Sequence, residues 1–192
     1  MNKSIVYLIC LMVLLFVGVT GCGPQDETRT LPYTRYVESY DGARVPVPDH
    51  PKRILALSSA SDTILLGLVE PDRLVGINTL STYEEYSLEA KRAKLVKPAM
   101  SSYPLEKIIA LEPDLVIAPD YTSADVIAGL RHMGIPTVVV PTGTTVESVI
   151  KNVTDIAHIV GEDEKGQFYE QKIRRELEKM KRLGTSIPLN QR

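Results

Sequence analysis

The sequence predicts an α/β fold, in which a parallel sheet flanked by helices is followed by a long connecting helix. Strand-like and helix-like stretches alternate throughout residues 53–160, which is typical of βαβ units and a parallel sheet. The strand candidates are continuous apolar runs, as expected for strands that helices cover on both faces. Residues 162–183 differ because only a narrow apolar stripe interrupts their charged residues, which indicates a mostly solvated helix.

Residues 102–120 form the centre of the predicted fold. Leu105–Leu111 carries apolar residues at helical spacing, and Pro113 ends this helix because the residue before a proline is pushed out of the α region. Leu115–Ala118 is then a buried strand. The loop at residues 119–122 follows the end of this strand, where open α/β sheets bind their ligands.

Turn and cap residues delimit the other elements. Asp41-Gly42 indicates a hairpin, because glycine accepts the positive φ that the turn needs. Thr144–Glu147 fits a capping box, and Gly134 and Gly161 are placed to end helices. The remaining predicted strands are Tyr33–Tyr40, Ala43–Val47, Arg53–Leu57, Leu74–Ile77 and Thr137–Val140. Further helices are predicted to begin near Leu88, Thr122 and Thr144, and Asp62 is placed in the first turn of the helix that follows the first buried strand.

The N-terminus has the layout of a targeting segment. Lys3 supplies a short positive region, and Ile5–Val19 is almost wholly apolar and uncharged. Together with the small residues that follow, this layout predicts a signal peptide over residues 1–21; an uncleaved anchor helix is the alternative. Residues 22–32 are polar and predict a flexible tether.

Composition and spacing argue against several function classes. A formal net charge of −2 offers no basic field for nucleic acid. The two cysteines, Cys10 and Cys22, provide no disulfide framework, since Cys10 lies in the leading apolar run. The three histidines are far apart and lack metal-ligand spacing. No phosphate-binding glycine motif occurs, and no catalytic triad can be argued from sequence order.

Three phrases carry a resemblance to a known family. They are Pro51–Gly67, Leu105–Ala118, and Gly134-Ile-Pro136 running into the helix that ends at Gly161. Val19-Thr-Gly-Cys22 also resembles a bacterial lipoprotein box. In this order the chain resembles, over about residues 40–183, the periplasmic solute-binding lipoproteins of ABC importers for iron-siderophores, haem and cobalamin.

The resemblance implies two Rossmann-like lobes joined by one long rigid helix, with the ligand held between them. Residues 33–160 are then the N-terminal α/β lobe, residues 161–184 the interlobe helix, and residues 185–192 the beginning of the path to a second lobe that is not in this sequence. It further implies cleavage before Cys22 and acylation of that residue. The chain is therefore expected on the extracytoplasmic side of the cell membrane, lipid-anchored, with an ABC permease as its partner.

Four loops are predicted to lie on the ligand side, at residues 58–61, 78–86, 99–103 and 119–122. Tyrosines there can stack on a macrocycle or offer a phenol oxygen to a chelate; the alternative is that they only cover the rim. A helix that starts at Ser59 presents free N–H groups that favour an anionic group, although ordinary capping explains the same serines. The ligand-binding candidates are Ser59, Ala60, Ser61, Tyr83, Met100, Tyr103 and Tyr121.

Glu106 matches the family position whose carboxylate docks onto an arginine of the permease. Its alternative role is to stabilise the helix dipole, by typically ~0.3–1 kcal/mol. The favoured function is thus a non-enzymatic binding lobe without an intrinsic cofactor or metal, whose transported ligand is an iron-siderophore, haem or cobalamin. Two alternatives are an extracytoplasmic Rossmann-like enzyme, which would need converging titratable groups in the cleft, and a tethered interaction module without ligand binding.

Overall fold

The computed structural model describes residues 35–186, with side chains described as far as Leu183. The predictions for the signal segment, for Cys22 and for the tether lie outside the described residues, as does most of the segment after the long helix. Within residues 35–186, no helix is both long enough and apolar enough to cross a membrane.

Strands and helices alternate from Ile54 onward, as predicted. The strands are β1 (Arg35–Glu38), β2 (Arg44–Val47), β3 (Ile54–Ala56), β4 (Ile77–Asn78), β5 (Ala99–Met100), β6 (Leu115–Pro119) and β7 (Thr137–Val140). The helices are α1 (Ser59–Leu68), α2 (Ala90–Ala93), α3 (Leu105–Ala110), α4 (Ala124–His132), α5 (Val146–Ile159) and α6 (Asp163–Ser186), with 3-10 helices at Pro71–Arg73 and Thr79–Thr82.

The main sheet is parallel and has the order β3-β6-β7. β6 lies in the middle, where Ile117 pairs with Ala56 on one side and Val138 on the other. β4 and β5 form a second parallel pair, and a parallel bridge between Ile54 and Leu74 brings the chain before β4 alongside β3. The structure therefore confirms the predicted α/β class.

The central strand β6 is covered on both faces. All five of its residues are buried, and successive side chains enter two different apolar clusters. Leu115 and Ile117 pack in the cluster that contains residues of α1 and α5, whereas Val116 and Ala118 pack with residues of α3 and α4. Because side chains alternate along a strand, this two-sided burial explains why its sequence shows no polar alternation.

The N-terminal hairpin covers the free edge of β7. β1 and β2 pair antiparallel, as predicted, around Gly42 with φ of +81°. The Val139 N–H donates to Ser39 Oγ at 2.8 Å, and the Tyr40 N–H donates to the Val139 carbonyl at 3.0 Å. These bonds occupy backbone groups that would otherwise be open to pairing with another chain.

A salt bridge fastens this hairpin to α4. Arg131 donates to Asp41 at 2.7 Å and to the Thr137 carbonyl at 2.9 Å. The guanidinium hydrogen bond lowers the pKa of the Asp41 carboxyl to about 2, against the opposing effect of partial burial. The hairpin is thus held to the lobe through side chains as well as through the backbone of β7.

Two predictions were wrong, the strand at residues 74–77 and the loop at residues 99–103. Leu74–Ile77 was predicted as a strand, but the strand is Ile77–Asn78, and Leu74 forms only the isolated bridge. Residues 99–103 were predicted as a loop, yet Ala99 and Met100 form β5 because they pair with β4. Strands of two residues leave no periodicity that a sequence pattern could reveal.

The cap of α5 was also predicted wrongly. The capping box uses Thr145 and Ser148: the Ser148 N–H donates to Thr145 Oγ1 at 3.1 Å, and the Thr145 N–H donates to Ser148 Oγ at 2.9 Å. Serine thus takes the role that the sequence assigned to Glu147.

The long helix α6 begins one residue after Glu162 and is anchored at its start. Arg73 donates to Glu162 Oε1 at 2.6 Å, and Lys165 Nζ donates to the Leu68 carbonyl at 2.7 Å. Further along, Tyr169 packs against the core, whereas Met180 is 58% exposed. The division of the chain into lobe and interlobe helix stays a prediction, although the change from anchored to exposed residues along α6 is consistent with it.

Candidate functional site

The ligand-side rim is formed by the three segments that follow β3, β6 and β7. Carboxyl ends of parallel strands meet at one edge of a sheet, and ligands of open α/β sheets bind at that edge. Here residues 58–61, then Pro119 and Tyr121, and residues 141–143 contribute to the lining of a groove of ≈ 380 Å³. We call this cavity the rim groove. The segment at residues 141–143 was missed by the sequence reasoning, although it directly follows the predicted strand Thr137–Val140.

The first segment combines a helix start with a serine cap. The Ser61 N–H donates to Ser58 Oγ at 3.2 Å, and the two hydroxyls lie 3.0 Å apart. Both side chains are buried, and the capping residue is Ser58, which directly precedes the residues to which the sequence assigned that role. Ser59 and Ala60 also line the groove, at the end of α1 where backbone N–H groups have no partner inside the helix.

Two hydrogen-bonded contacts hold the other segments in place. The Thr142 N–H and hydroxyl donate to the two oxygens of Asp120, at 3.1 and 2.6 Å, and these bonds lower the pKa of that carboxyl. Asn152 Nδ2, from α5, donates to the Pro141 carbonyl at 2.8 Å. The loops after β6 and β7 are therefore tied to each other and to the helix behind them.

The structure separates the predicted tyrosines. Tyr121 lines the rim groove and is 72% exposed. Tyr83 is 49% exposed but lies in another loop, edge-on to Tyr86 with ring centroids 6.5 Å apart. Tyr103 packs against the apolar cluster and its hydroxyl is buried. Tyr121 is thus the predicted tyrosine that the structure brings to the groove.

Met100 also lies away from the groove. It is 9% exposed and belongs to the apolar cluster with Leu55, because pairing of β5 with β4 directs it towards the sheet. The predicted contacts therefore divide into two groups. Ser59, Ala60, Ser61 and Tyr121 surround one cavity, whereas Tyr83, Met100 and Tyr103 belong to the neighbouring β4–β5 side of the lobe. Contact of any of these seven residues with a ligand remains a prediction.

A buried carboxyl that the sequence reasoning placed only in a helical turn lies behind the rim. Asp62 is 1% exposed, and its Oδ2 accepts hydrogen bonds from the Asn78 N–H at 2.7 Å and from Ser81 Oγ at 2.8 Å. Burial raises its pKa to about 7, against the effect of these bonds. Burial also raises the pKa of Tyr103, and the charge of Asp62 adds to this shift.

A larger groove of ≈ 680 Å³ lies between the hairpin and α5, where Tyr36, Tyr40, Lys151 and His158 contribute to its lining. Its size does not make it the better candidate, because most of its lining comes from the hairpin edge and one helix side. The rim groove instead lies at the carboxyl ends of β3, β6 and β7 and includes the start of α1. We therefore take the rim groove as the candidate site.

Metal coordination has no counterpart among the described side chains. Within residues 35–183, no three or more histidine, cysteine, aspartate or glutamate side chains are grouped so as to hold a metal ion. His158 Nδ1 lies 2.8 Å from Asp163 Oδ1 at the surface. The polar groups of the rim groove are instead hydroxyls, one phenol and one amide.

Glu106 lies in the first turn of α3 and is exposed. It makes no salt bridge with another residue in the part of the chain that the structure describes. An exposed carboxylate of this kind is available to a protein partner.

Comparisons with known proteins agree on one family. The family model described as periplasmic binding protein matches residues 54–187. An uncharacterised ABC transporter substrate-binding lipoprotein, YvrC of Bacillus subtilis, is 30% identical over 166 residues, covering 80% of this chain and 51% of YvrC. The vitamin B12-binding protein of Vibrio campbellii is 31% identical over 134 residues, covering 68% of this chain and 46% of that protein.

Solved structures show the same fold. A crystal structure of the heme binding protein HmuT is 25% identical, with a TM-score of 0.64, and the match covers 80% of this chain and 50% of HmuT. A periplasmic solute binding protein from Veillonella parvula has a TM-score of 0.67 at 21% identity, covering 81% and 50%. The chain spans about half the length of the curated relatives that it matches. It belongs to the periplasmic binding protein family.

Proposed function

We propose that this chain is the ligand-binding N-terminal lobe of an extracytoplasmic substrate-binding lipoprotein of an ABC importer. It captures a metal chelate or macrocycle, namely an iron-siderophore, haem or cobalamin, and presents it to the membrane permease. The observation that carries the proposal is the rim groove, where Ser59, Ala60 and Tyr121 converge at the carboxyl ends of the parallel strands. The names of the relatives, which include vitamin B12 and iron(3+)-hydroxamate binding proteins, support the ligand class.

The chemistry of the groove favours binding over catalysis. Its polar groups are serine and threonine hydroxyls, the phenol of Tyr121 and the amide of Asn152, which can orient a ligand by hydrogen bonds. An enzyme would need a nucleophile with an adjacent base, or paired acid and base groups, within reach of one another. The buried Asp62 is not part of the groove lining, so it does not supply such a pair.

Affinity is expected to be weak, because the groove is open on the side away from the sheet. Ligand pockets normally bury ~70–90% of a drug-sized ligand. If ~200 Å² of apolar contact is missing, the loss at ~25 cal/mol per Å² is several kcal/mol, and each ~1.4 kcal/mol is tenfold in affinity. We therefore expect a micromolar or weaker Kd when residues 22–192 are titrated calorimetrically with haem, cobalamin and a ferric siderophore.

Tyr121→Ala should weaken this binding further, by up to about tenfold, since aromatic contacts contribute about 0.5–1.5 kcal/mol beyond their buried area. Tyr36→Ala is the matched control. Tyr36 is 49% exposed but lies on the hairpin, outside the lining of the rim groove. Nanomolar binding by the unaltered chain would contradict the open-groove argument. If the two substitutions weaken binding equally, Tyr121 does not contact the ligand.

Membrane attachment through Cys22 completes the proposal. The support comes from Val19-Thr-Gly-Cys22 after an apolar run and from the lipoprotein name of the relative YvrC. Cys22→Ala should abolish incorporation of a labelled fatty acid and leave an unprocessed precursor that migrates more slowly in gel electrophoresis. Undiminished acyl labelling of the variant would show that Cys22 is not the anchor.

A further inference from the structure

Asp62 connects α1 to the loop that follows β4, on the ligand side of the lobe. Its carboxyl lies in the first turn of α1, directly behind the groove-lining residues Ser59 and Ala60. The hydrogen bonds to Oδ2 come from Asn78, the last residue of β4, and from Ser81 in the following 3-10 helix. That helix ends at Thr82 and is capped by Tyr83, so one buried side chain contacts the segment at residues 78–83 at two points, Asn78 and Ser81.

The other oxygen of this carboxyl makes no matching contact. Asp62 Oδ1 is buried and has no hydrogen-bond partner in the described part of the chain. An ionised carboxylate with one unpaired oxygen is costly to bury, whereas the neutral acid is much less so. The closed position of residues 78–83 therefore favours the protonated form of Asp62.

We propose that Asp62 is a positioning residue, and that gain or loss of its proton sets how firmly the 78–83 segment is held against α1 and hence how well the ligand side is ordered. Opening of this segment brings water to the carboxylate and relieves the cost of its charge. The effect on the segment does not depend on the proposed binding function. The effect on affinity rests on the proposed binding function.

The direction of the pH effect follows from proton linkage. The closed arrangement keeps the pKa near 7, whereas a carboxyl in water titrates near its ordinary value of 3.8. Between these values the closed form binds more protons, so opening becomes more favourable as pH rises, by at most about tenfold per pH unit. Above pH 7 both forms are ionised and the dependence levels off.

The polar groups that contact Asp62, and the tyrosine coupled to it, do not change charge between pH 5 and pH 8. β4 and the adjacent 3-10 helix contribute Asn78 and Ser81, which carry no charge. Tyr103, from the segment before α3, is the titratable group that couples to Asp62, and its pKa is raised. It therefore stays protonated throughout the window from pH 5 to pH 8.

Hydrogen exchange of the full chain without ligand tests the positioning role. After correction for intrinsic rates, protection of the amides of residues 78–81 should fall by at least about tenfold between pH 5 and pH 7. Asp62→Asn replaces the acid by a neutral group of the same shape, so its protection should not change with pH. Asp72→Asn, at an exposed aspartate, should behave like the unaltered chain.

A second variant keeps the test decisive if Asp62→Asn fails to fold. Ser81→Ala removes one bond to Oδ2 but retains the carboxyl, so protection should be lower at every pH while the pH dependence remains. A flat profile for the unaltered chain, or the same slope in Asp62→Asn, would overturn the proposal.

Titration with cyanocobalamin, whose own charge is constant in this range, tests the link to affinity. Binding should be at least about threefold tighter at pH 5.5 than at pH 7.5, and the difference should vanish in Asp62→Asn. If exchange depends on pH but affinity does not, the link is overturned while the proposed function stands. If cyanocobalamin, haem and a ferric siderophore all fail to bind, the proposed function fails while the exchange result still decides the role of Asp62.

Discussion

Gly161→Ala is expected to lower the free energy of unfolding by about 2–5 kcal/mol. Gly161 has φ of +76°, where a residue with a Cβ is strained by about 1–2 kcal/mol. A Cβ at this position would also collide with the backbone carbonyl oxygen of Asp49, and forcing extra atoms into a packed site costs typically about 1–3 kcal/mol more. Since domains are stable by only about 5–15 kcal/mol, the loss should be large.

Gly134→Ala provides the matched control. Gly134 has φ of +75°, and a Cβ there would meet nothing within 4 Å, so only the backbone strain of about 1–2 kcal/mol applies. Urea unfolding of both variants therefore separates strain from collision. Equal losses would show that the contact between Gly161 and the chain near Asp49 does not constrain the junction between α5 and α6.

Glu106→Ala is expected to reduce ligand uptake by a cell that depends on this chain by more than tenfold. Removing one partner of a buried, hydrogen-bonded charge pair at an interface typically costs about 2–5 kcal/mol. Glu106 is exposed in this chain, and we propose that its carboxylate becomes buried against an arginine of the permease, as the family resemblance implies. Ligand binding by the isolated chain should not change, because Glu106 does not line the rim groove. Uptake and calorimetric titration together measure the two quantities.

Glu164→Ala controls for the helix dipole. Glu164 is likewise an exposed glutamate in the first turn of a helix, where an acidic residue stabilises the helix by about 0.3–1 kcal/mol. Its loss should therefore reproduce any effect of Glu106→Ala on stability without reducing uptake. If both variants transport normally, Glu106 has only the dipole role.

Long apolar stretches were the part of the fold that the sequence could predict. Leu115–Ala118 is buried on both faces, and a strand of this kind has no polar residue to interrupt the run. Gly42, Gly134 and Gly161 all adopt positive φ, as their turn and cap positions required. Because these features depend on local sequence, they can be predicted without knowledge of the tertiary contacts.

Features set by tertiary contacts were not predictable in the same way. β5 exists only because Ala99 and Met100 lie beside β4. Tyr83, Tyr103 and Tyr121 occupy similar loop positions in the sequence, but the structure exposes the third in the groove and buries the hydroxyl of the second. Asp62 looks like an ordinary first-turn acid, and only the position of the 78–81 backbone reveals that it is buried.

The most direct test of the central claim is to map, by amide chemical shifts in solution, where haem, cobalamin and a ferric siderophore contact the chain. NMR suits micromolar and weaker binding, because fast exchange still reports the contact. We expect the largest shifts in residues 58–61, 119–121 and 141–143, the three segments at the rim groove. Shifts concentrated at the larger groove between the hairpin and α5, around Tyr36 and His158, or no shifts with any of the three ligands, would contradict this claim.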